Sequence, residues 1–490
     1  MDLEASTNET SALGSSKSLC VTNEASHVVR RTGIHTQALA LHPKLPDDIL
    51  GEIFAQCDPS DTPAELCVVP GNFRLVFCKV SSQWRRVALN TYTLWTDVKI
   101  DFNHSRIDRV LEILPRWLAG AKEALLYLEI STRKYDERIV EILRRYAPRC
   151  HTLVVDGIRL DGASFDLPRG AFGRVKTLRL GGNGNVPLAG LPPSSPAVVF
   201  EDMPLVSSVT FSSFHESLNR KLVPLPWRQL TSLYFEDTEP SPWDYYAILE
   251  QCVNVAQMRL DVFPARRGAV ISLSNVQISL PALRTLELNT DTPGNGARFL
   301  HSIALDNLVD LEVSFSDDSD RTAYLVRPLP ALQRLVIDGP GLGSQLDLEL
   351  WLQACPVAVE VHLHSYTIRQ QILDEIAMGL LLPCLQRLTI AVAPTQILIA
   401  ALEARQRSVE FSTIAEIGVN RQDLPAWELE ESEKMRLARL RLAGVYVGWV
   451  ACHESLPNAG EVKRNAMRNV EHGINPLIPA YGLARKASAI

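Results

Sequence analysis

The phrase LPALRTLEL occupies residues 280–288, and close copies recur as LPALQRLVI at 329–337 and LPCLQRLTI at 382–390. Each copy ends in an x-L-x-L run, in which apolar residues alternate with polar ones. Alternation of this kind is typical of a β-strand that buries one of its two faces. The phrase therefore predicts a strand that recurs along the chain.

Runs of this form extend from about residue 96 to residue 420. The first inward residue of each run is Leu128, Leu153, Leu178, Val209, Leu233, Met258, Leu286, Leu311, Leu335, Val361, Leu388 or Ile417. Neighbouring members of this series are 24 to 31 residues apart. A spacing this regular indicates an internal repeat, which takes precedence over any single motif.

Segments with helical spacing of apolar residues lie between several of the runs. In DERIVEILRRY (136–146), Ile139, Ile142 and Leu143 share one helix face. Comparable segments are DYYAILEQC (244–252), LELWLQAC (348–355), RQQILDEIAMGL (369–380) and QILIAALEA (396–404). One strand and one helix cannot close a core alone, but stacked copies bury a continuous one. The predicted fold class is therefore α/β: a curved solenoid with a parallel sheet on its concave side.

These repeats resemble leucine-rich repeats of the longer, irregular kind, and the resemblance covers about two thirds of the chain. Cys252 and Cys355 stand at presumed helix ends before a strand. Asn289 fits the asparagine that follows the strand in that family, whereas most other repeats lack it. The family's continuous asparagine ladder is therefore not expected.

A different pattern precedes the repeats, beginning with LPDDILGEIFAQC at 45–57. Pro46 suits the first turn of a helix, where its missing N–H is not needed. Asp47 and Asp48 lie where the helix dipole favours negative charge. The apolar residues that then line one side are Ile49, Leu50, Ile53 and Phe54.

The segment RLVFCKVSSQWRRVALNTYTLW, residues 74–95, also has helical spacing. A unit of this size buries only a modest core. It nevertheless carries a surplus of large apolar side chains. Some of them are expected to need the surface of another protein.

The two segments together resemble the F-box, in which Leu-Pro and an Ile/Leu-rich helix precede a helix with a Val-Cys-x-x-Trp-like phrase and then Leu-Trp. The form is similar to F-box proteins of mushroom-type fungi. Ser81 stands where the family commonly has cysteine, and the linker 58–72 is longer than in its shortest members. With the repeats included, the predicted fold is an all-α, three-helix F-box followed by the leucine-rich-repeat-like solenoid.

The resemblance implies that the N-terminal unit docks on a Skp-type adaptor, which links it to a cullin scaffold of a ubiquitin ligase. The repeats would then select the protein that is ubiquitinated, and the chain itself would be no enzyme and need no cofactor. The residues that the resemblance assigns to adaptor binding are Leu45, Pro46, Ile49, Leu50, Ile53, Phe54, Val80, Trp84, Leu94 and Trp95.

Residues between the inward leucines face the concave side of such a solenoid, which is its usual binding surface. The predicted target-binding residues are Arg179, Tyr234, Glu236, Arg259, Asp261, Glu287, Asn289, Glu312, Asp338 and His362. The acids among them favour a target with a basic patch. The alternative is that they are only solvated strand residues, because any exposed strand face must be polar.

Composition and charge exclude several classes of function. The net charge of −7 and the lack of a basic block argue against nucleic-acid binding. The nine cysteines are scattered without a CxxC pair, so neither a disulfide framework nor a zinc site is expected. The start MDLEASTNETS lacks the features of a secretory signal, and no apolar run approaches the roughly 18 residues of a membrane span. We therefore expect a cytoplasmic or nuclear protein without a membrane partner.

Motifs for chemistry are weak. GGNGNVPLAG (181–190) lacks the Lys-Ser/Thr of a phosphate-binding loop, and SFSDDSD (314–320) lacks the ligand spacing of a calcium loop. His362 and His364 share a strand face, but no third metal ligand is near in sequence. No metal site is expected.

The predicted domains are a disordered tail (1–40), the F-box (41–97), the solenoid (98–425), a cap (426–455) and a loosely ordered tail (456–490). Two other functions remain open on these grounds. One is a repeat scaffold with no link to ubiquitin, and the other is a hydrolase within the repeats.

Overall fold

The computed structural model describes residues 45–57, 64–65, 73–102, 107–132, 137–157, 170–182, 200–213, 225–238, 242–262, 277–290, 293–315, 327–339, 345–392, 395–407, 412–420 and 431–450. The predicted tails 1–40 and 456–490 lie outside these residues. So does most of GGNGNVPLAG and of SFSDDSD.

The N-terminal unit contains three helices, α1 (Asp47–Gln56), α2 (Phe73–Val80) and α3 (Ser82–Asn90), and a 3-10 turn at Tyr92–Trp95. Aromatic rings join the helices. Phe54 of α1 stacks on Phe77 of α2 with ring centroids 4.3 Å apart, and its centroid lies 5.0 Å from that of Trp84 in α3. The three helices thus share one small aromatic core.

The predicted helical segment 74–95 is interrupted at Ser81. This residue has an extended backbone, and its hydroxyl accepts a hydrogen bond from the Trp84 N–H at 3.1 Å. A serine in this position caps the start of a helix. The segment is therefore two helices, α2 and α3, which turns Trp84 towards Phe54.

The strands are β1 (Ala64–Glu65), β2 (Asp97–Asp101), β3 (Leu126–Ser131), β4 (Cys150–Asp156), β5 (Thr177–Gly181), β6 (Ser208–Ser212), β7 (Ser232–Glu236), β8 (Gln257–Val262), β9 (Ile278–Ser279), β10 (Thr285–Thr290), β11 (Ile303–Ala304), β12 (Asp310–Phe315), β13 (Arg334–Asp338), β14 (Glu360–Thr367), β15 (Arg387–Val392), β16 (Glu416–Asn420) and β17 (Tyr446–Val450). In the described part, β9 and β11 pair with each other, and the other fifteen form one sheet in chain order.

The sheet confirms the predicted repeat. Every predicted x-L-x-L run is a strand, and its neighbours are parallel and in register. Leu286 of β10, for example, pairs with Met258 on one side and Leu311 on the other. The alternating inward residues therefore stack into continuous rows, as the period of the sequence requires.

The remaining helices are α4 (Ile107–Gly120), α5 (Glu137–Tyr146), α6 (Pro242–Leu249), α7 (Pro293–His301), α8 (Gln345–Gln353), α9 (Gln370–Ala377), α10 (Thr395–Arg407) and α11 (Glu431–Leu442). Each lies between two consecutive strands of the sheet. A helix does not follow every strand in the described residues: the connection from β6 to β7 shows only a 3-10 turn, Trp227–Gln229. The described residues show the predicted strand–helix unit at eight connections of the sheet.

One hydrophobic cluster runs from Leu50 in α1 to Val447 in β17. The junction between the helical unit and the solenoid is part of it. The Trp95 ring lies 4.8 Å from that of Trp117, and a Cβ on Gly120 would lie 2.7 Å from Trp95. Gly120 is therefore needed for this close approach.

A strand also crosses this junction. Ala64 and Glu65, in the linker between α1 and α2, pair with Val98 and Lys99 of β2. The N-terminal unit thus supplies the first strand of the solenoid sheet. Sequence alternation did not indicate β1, because two residues carry no periodic signal.

The last helix and the last strand of the described part, α11 and β17, lie within residues 426–455. Cys150, Cys252 and Cys355 are buried and free, and burial raises the pKa of each thiol to about 12. Within the described residues, no helix is both long and apolar enough to cross a membrane.

Candidate protein-docking surfaces

Several large apolar side chains of the helical unit are exposed. Leu45 and Ile49 each keep 47% of their surface exposed, Ile53 keeps 40% and Val80 keeps 54%. Pro46 is exposed and Trp84 is half-buried. We call the exposed residues Leu45, Pro46, Ile49, Ile53 and Val80, together with the half-buried Trp84, the apolar docking surface.

Four residues assigned to adaptor binding lie elsewhere. Leu50, Phe54, Leu94 and Trp95 are buried in the chain's own core. Successive residues of a helix differ by about 100° in direction, so Leu50 and Phe54 face inward while Ile49 and Ile53 face outward. The four buried residues pack under the exposed ones. The prediction that each of them contacts another protein directly is therefore wrong.

Sequence reasoning missed part of the exposed apolar surface. Leu75 and Val76 of α2 are 42% and 48% exposed, and Leu89 and Tyr92 are similarly exposed. The spacing of residues 74–95 indicated a helix but not which of its apolar residues would face solvent. Which residues of α2 are exposed depends on how α2 packs against Phe54, and this tertiary contact cannot be inferred from spacing alone.

Polar contacts tie the start of α1 to α3. The Gln83 amide donates to the Leu45 carbonyl and to Asp47 Oδ1, both at 2.9 Å, and Arg86 donates to Asp47 Oδ2 at 2.6 Å. The hydrogen bonds from Gln83 and then Arg86 lower the pKa of Asp47 below its usual value. The end of α1 that carries Leu45 is therefore held by side chains of another helix.

The second candidate surface is the solvent face of the parallel sheet, which we call the polar sheet face. The predicted target-binding residues Arg179, Tyr234, Arg259, Glu287, Glu312 and His362 lie in one row across it. Glu236, Asp261, Asn289 and Asp338 lie two residues further along their strands. The predicted face is thus formed, but its residues differ in exposure.

Tyr234 and Asp261 are buried and cannot act as solvated contact residues, which corrects their assignment. The Tyr234 hydroxyl donates to Gln257 Oε1 at 3.0 Å. Asp261 is 3% exposed and accepts hydrogen bonds from Asn289 Nδ2 at 2.6 Å and from the Asp237 N–H at 2.5 Å. Burial raises the pKa of Asp261 above its usual value. Neighbouring strands cover both residues, which a single strand pattern cannot show.

Ion pairs also reduce the acidic character of the polar sheet face. Arg179 contacts Glu236 at 3.1 Å, and Arg259 contacts Glu287 at 3.2 Å. Each pair joins different strands, so the pairing is invisible in any one repeat. The inference of a basic target is weakened, since these two acids already have cationic partners.

A neighbouring row, one position before the inward leucines, alternates in charge: Asp310, Arg334, Glu360 and Arg387 follow one another on β12 to β15. Arg334 lies 2.8 Å from Asp310, and Arg387 lies 3.0 Å from Glu360. We call this row the charge ladder. Sequence reasoning missed it because it considered only the positions between the inward leucines.

His362 joins the charge ladder to the next strand. Its Nε2 lies 2.6 Å from Glu360 Oε1, and its Nδ1 lies 2.9 Å from Thr389 Oγ1. The hydrogen bond with His362, followed by the charges of His362, Arg387 and Arg334, lowers the pKa of Glu360. Among the described residues, no group of three or more His, Cys, Asp or Glu side chains could hold a metal ion.

Comparison with known proteins identifies the helical unit. No curated protein matches the chain, and the resemblance to fungal members is not supported. The family model described as F-box domain matches residues 43–96. The unit that carries the apolar docking surface is therefore an F-box domain, and a leucine-rich-repeat-like α/β solenoid follows it.

Proposed function

We propose that this chain is the substrate-recognition subunit of a Skp–cullin–F-box type ubiquitin ligase. In this role the F-box domain docks on a Skp-type adaptor, which connects it to a cullin scaffold, in the cytoplasm or nucleus. The observation that carries the proposal is the apolar docking surface. Leu45, Ile49, Ile53 and Val80 stay 40–54% exposed on a unit that the family model matches as an F-box.

Covering these side chains with a partner supplies the driving force for docking. Full burial of one large aliphatic side chain is worth about 1.5–3 kcal/mol. Each of the four side chains is already about half covered, so docking would recover roughly half of that value for each. The buried Leu50 and Phe54 hold α1 against the core and so fix the positions of Ile49 and Ile53.

The solenoid is proposed to bind the protein target on the polar sheet face. The candidate contacts are those predicted residues that retain exposure: Arg179, Glu236, Arg259, Glu287, Asn289, Glu312, Asp338 and His362. The chain performs no reaction in this proposal. It holds the target near the catalytic subunits and so raises its effective concentration there.

Co-purification with a Skp-type adaptor from the same organism tests the proposal. The variant Ile49→Glu/Ile53→Glu places two charges on the docking surface and leaves the core untouched, so we expect the wild type to retain the adaptor and the variant to lose it. Leu380→Glu is the matched control, because Leu380 is 70% exposed but lies in the solenoid. A wild type that retains no adaptor would favour the scaffold alternative instead.

A further inference from the structure

The backbone just before α1 is held by a side chain from a different helix. Leu45 is 47% exposed and precedes the first helical hydrogen bond of this segment, which runs from the Leu50 N–H to the Pro46 carbonyl at 3.0 Å. The carbonyl of Leu45 accepts instead from Gln83 Nε2 of α3 at 2.9 Å. The position of Leu45 therefore depends on α3.

The same amide group also restrains Asp47. Gln83 donates to Asp47 Oδ1 at 2.9 Å, and Arg86 donates to Asp47 Oδ2 at 2.6 Å. An aspartate at the start of a helix commonly serves that helix. Here its carboxylate faces α3, and α1 has no side-chain hydrogen bond at its N-cap, Pro46. The three contacts form a clamp between the two helices.

We propose that Gln83 is a positioning residue for adaptor docking and acts by holding Leu45 in place. The inference rests on the proposed function, since it assumes that Leu45 contacts the adaptor. Gln83 itself needs no contact with the adaptor. Gln83 orders the backbone at Leu45 before docking. The adaptor then does not have to order this segment when it binds.

The expected size of the effect follows from conformational entropy. Ordering a flexible residue during binding weakens affinity, whereas a residue that is already ordered carries no such penalty. Ordering one backbone residue costs about 1–2 kcal/mol, so if the adaptor must order Leu45 on binding, Kd should rise roughly five- to thirtyfold. The effect should be absent when the Leu45 side chain is absent, because nothing is then left to position.

A double-mutant cycle measures this dependence. The Kd for purified Skp-type adaptor is determined for wild type, Gln83→Ala, Leu45→Ala and the double variant of the full-length chain. We expect Gln83→Ala to raise Kd about five- to thirtyfold in the wild-type background and to have no further effect in the Leu45→Ala background. Gln353→Ala is the control, because Gln353 is an exposed amide that bonds Glu349 on a solenoid helix, and its Kd should equal that of wild type.

Amide hydrogen exchange at Leu50, whose N–H makes the first helical hydrogen bond of α1, supplies a second readout that needs no adaptor. We expect faster exchange in Gln83→Ala than in wild type or Gln353→Ala, with unchanged exchange in the solenoid strands. A general loss of folding would instead accelerate exchange throughout the F-box domain.

Two results would overturn the role of Gln83: an unchanged Kd in Gln83→Ala, or an equal rise in Kd with and without the Leu45 side chain. Unchanged exchange at Leu50 would also contradict it. If wild type binds adaptor, such results count against Gln83 alone. If wild type binds no adaptor, the proposed function fails and the inference fails with it.

Discussion

The two candidate surfaces differ in how far their side chains satisfy one another. On the F-box domain, Ile49 and Ile53 expose apolar surface that nothing in the described chain covers. On the polar sheet face, Arg259 and Glu287 neutralise each other at 3.2 Å. Covering the first surface with another protein lowers the free energy. Binding at the second surface would first break contacts within the chain. Substitutions should therefore weaken binding at the first surface and weaken stability at the second.

The sharpest contrast lies between two adjacent residues of α1. Phe54→Ala removes a fully buried ring that stacks on Phe77, so we expect the free energy of unfolding to fall by about 3–5 kcal/mol. Ile53→Ala should change it by less than about 0.5 kcal/mol, because its side chain faces solvent. Chemical denaturation followed by tryptophan fluorescence measures both. Equal destabilisation by the two variants would abolish the distinction between core and docking surface.

A buried arginine on α10 tests how much the internal polar contacts of the solenoid contribute to stability. Arg405 is 1% exposed, and its guanidinium donates to the carbonyls of Ser412, Leu382 and Pro383 at 2.8–3.0 Å and also to that of Ile376. Arg405→Met leaves these acceptors without the guanidinium and should lower the free energy of unfolding by about 2–4 kcal/mol.

The control for Arg405 is Arg439→Met, because Arg439 is an exposed arginine on α11. We expect it to match wild type in thermal unfolding. A stable Arg405→Met variant would mean that the solenoid does not depend on this internal contact.

The Arg259–Glu287 pair should give a smaller effect. Both side chains are mostly covered, with 18% and 14% of their surface exposed. A double-mutant cycle with Arg259→Met and Glu287→Gln should yield a coupling of about 1 kcal/mol in unfolding free energy. The same cycle on Ile49 and Ile53 should yield no coupling. A coupling of zero for the ion pair would mean that this contact does not contribute to stability.

The smallest expected effect concerns the pH dependence of the charge ladder. Glu360 has a folded pKa below its ordinary value of 4.5, chiefly through the hydrogen bond with His362. A lowered carboxyl pKa stabilises the fold above the ordinary value, and this contribution is lost as pH falls through the folded pKa. The stability difference between wild type and Glu360→Gln should thus shrink below about pH 4.5. A difference that stays constant down to acid unfolding would contradict the pairing.

Much of the architecture could be predicted because it is local and periodic. The strands from β3 to β8, and β10 and β12 to β16, each follow from alternation within a few residues. The Ser81 break carried a local signal too, a capping serine, but the apolar spacing on both sides of it indicated one helix. No local sequence signal indicates the pairing of β1 with β2, since it joins residues more than 30 positions apart.

The sites were harder to predict than the fold. A surplus of apolar side chains in residues 45–95 was visible, but its division into core and surface depends on which residues face Phe77 and Trp84. The exposure of Asp261 depends on Asn289 and Asp237, which belong to the neighbouring repeats. In each case the deciding contact comes from a distant part of the chain.

The most direct test of the proposed role is hydrogen–deuterium exchange of the full-length chain with and without a Skp-type adaptor. If the apolar docking surface binds the adaptor, exchange should slow in α1 and α2, and the strands β8 to β14 should be unchanged. A complex that protects those strands and leaves α1 and α2 unaltered, or the absence of any complex, would contradict it.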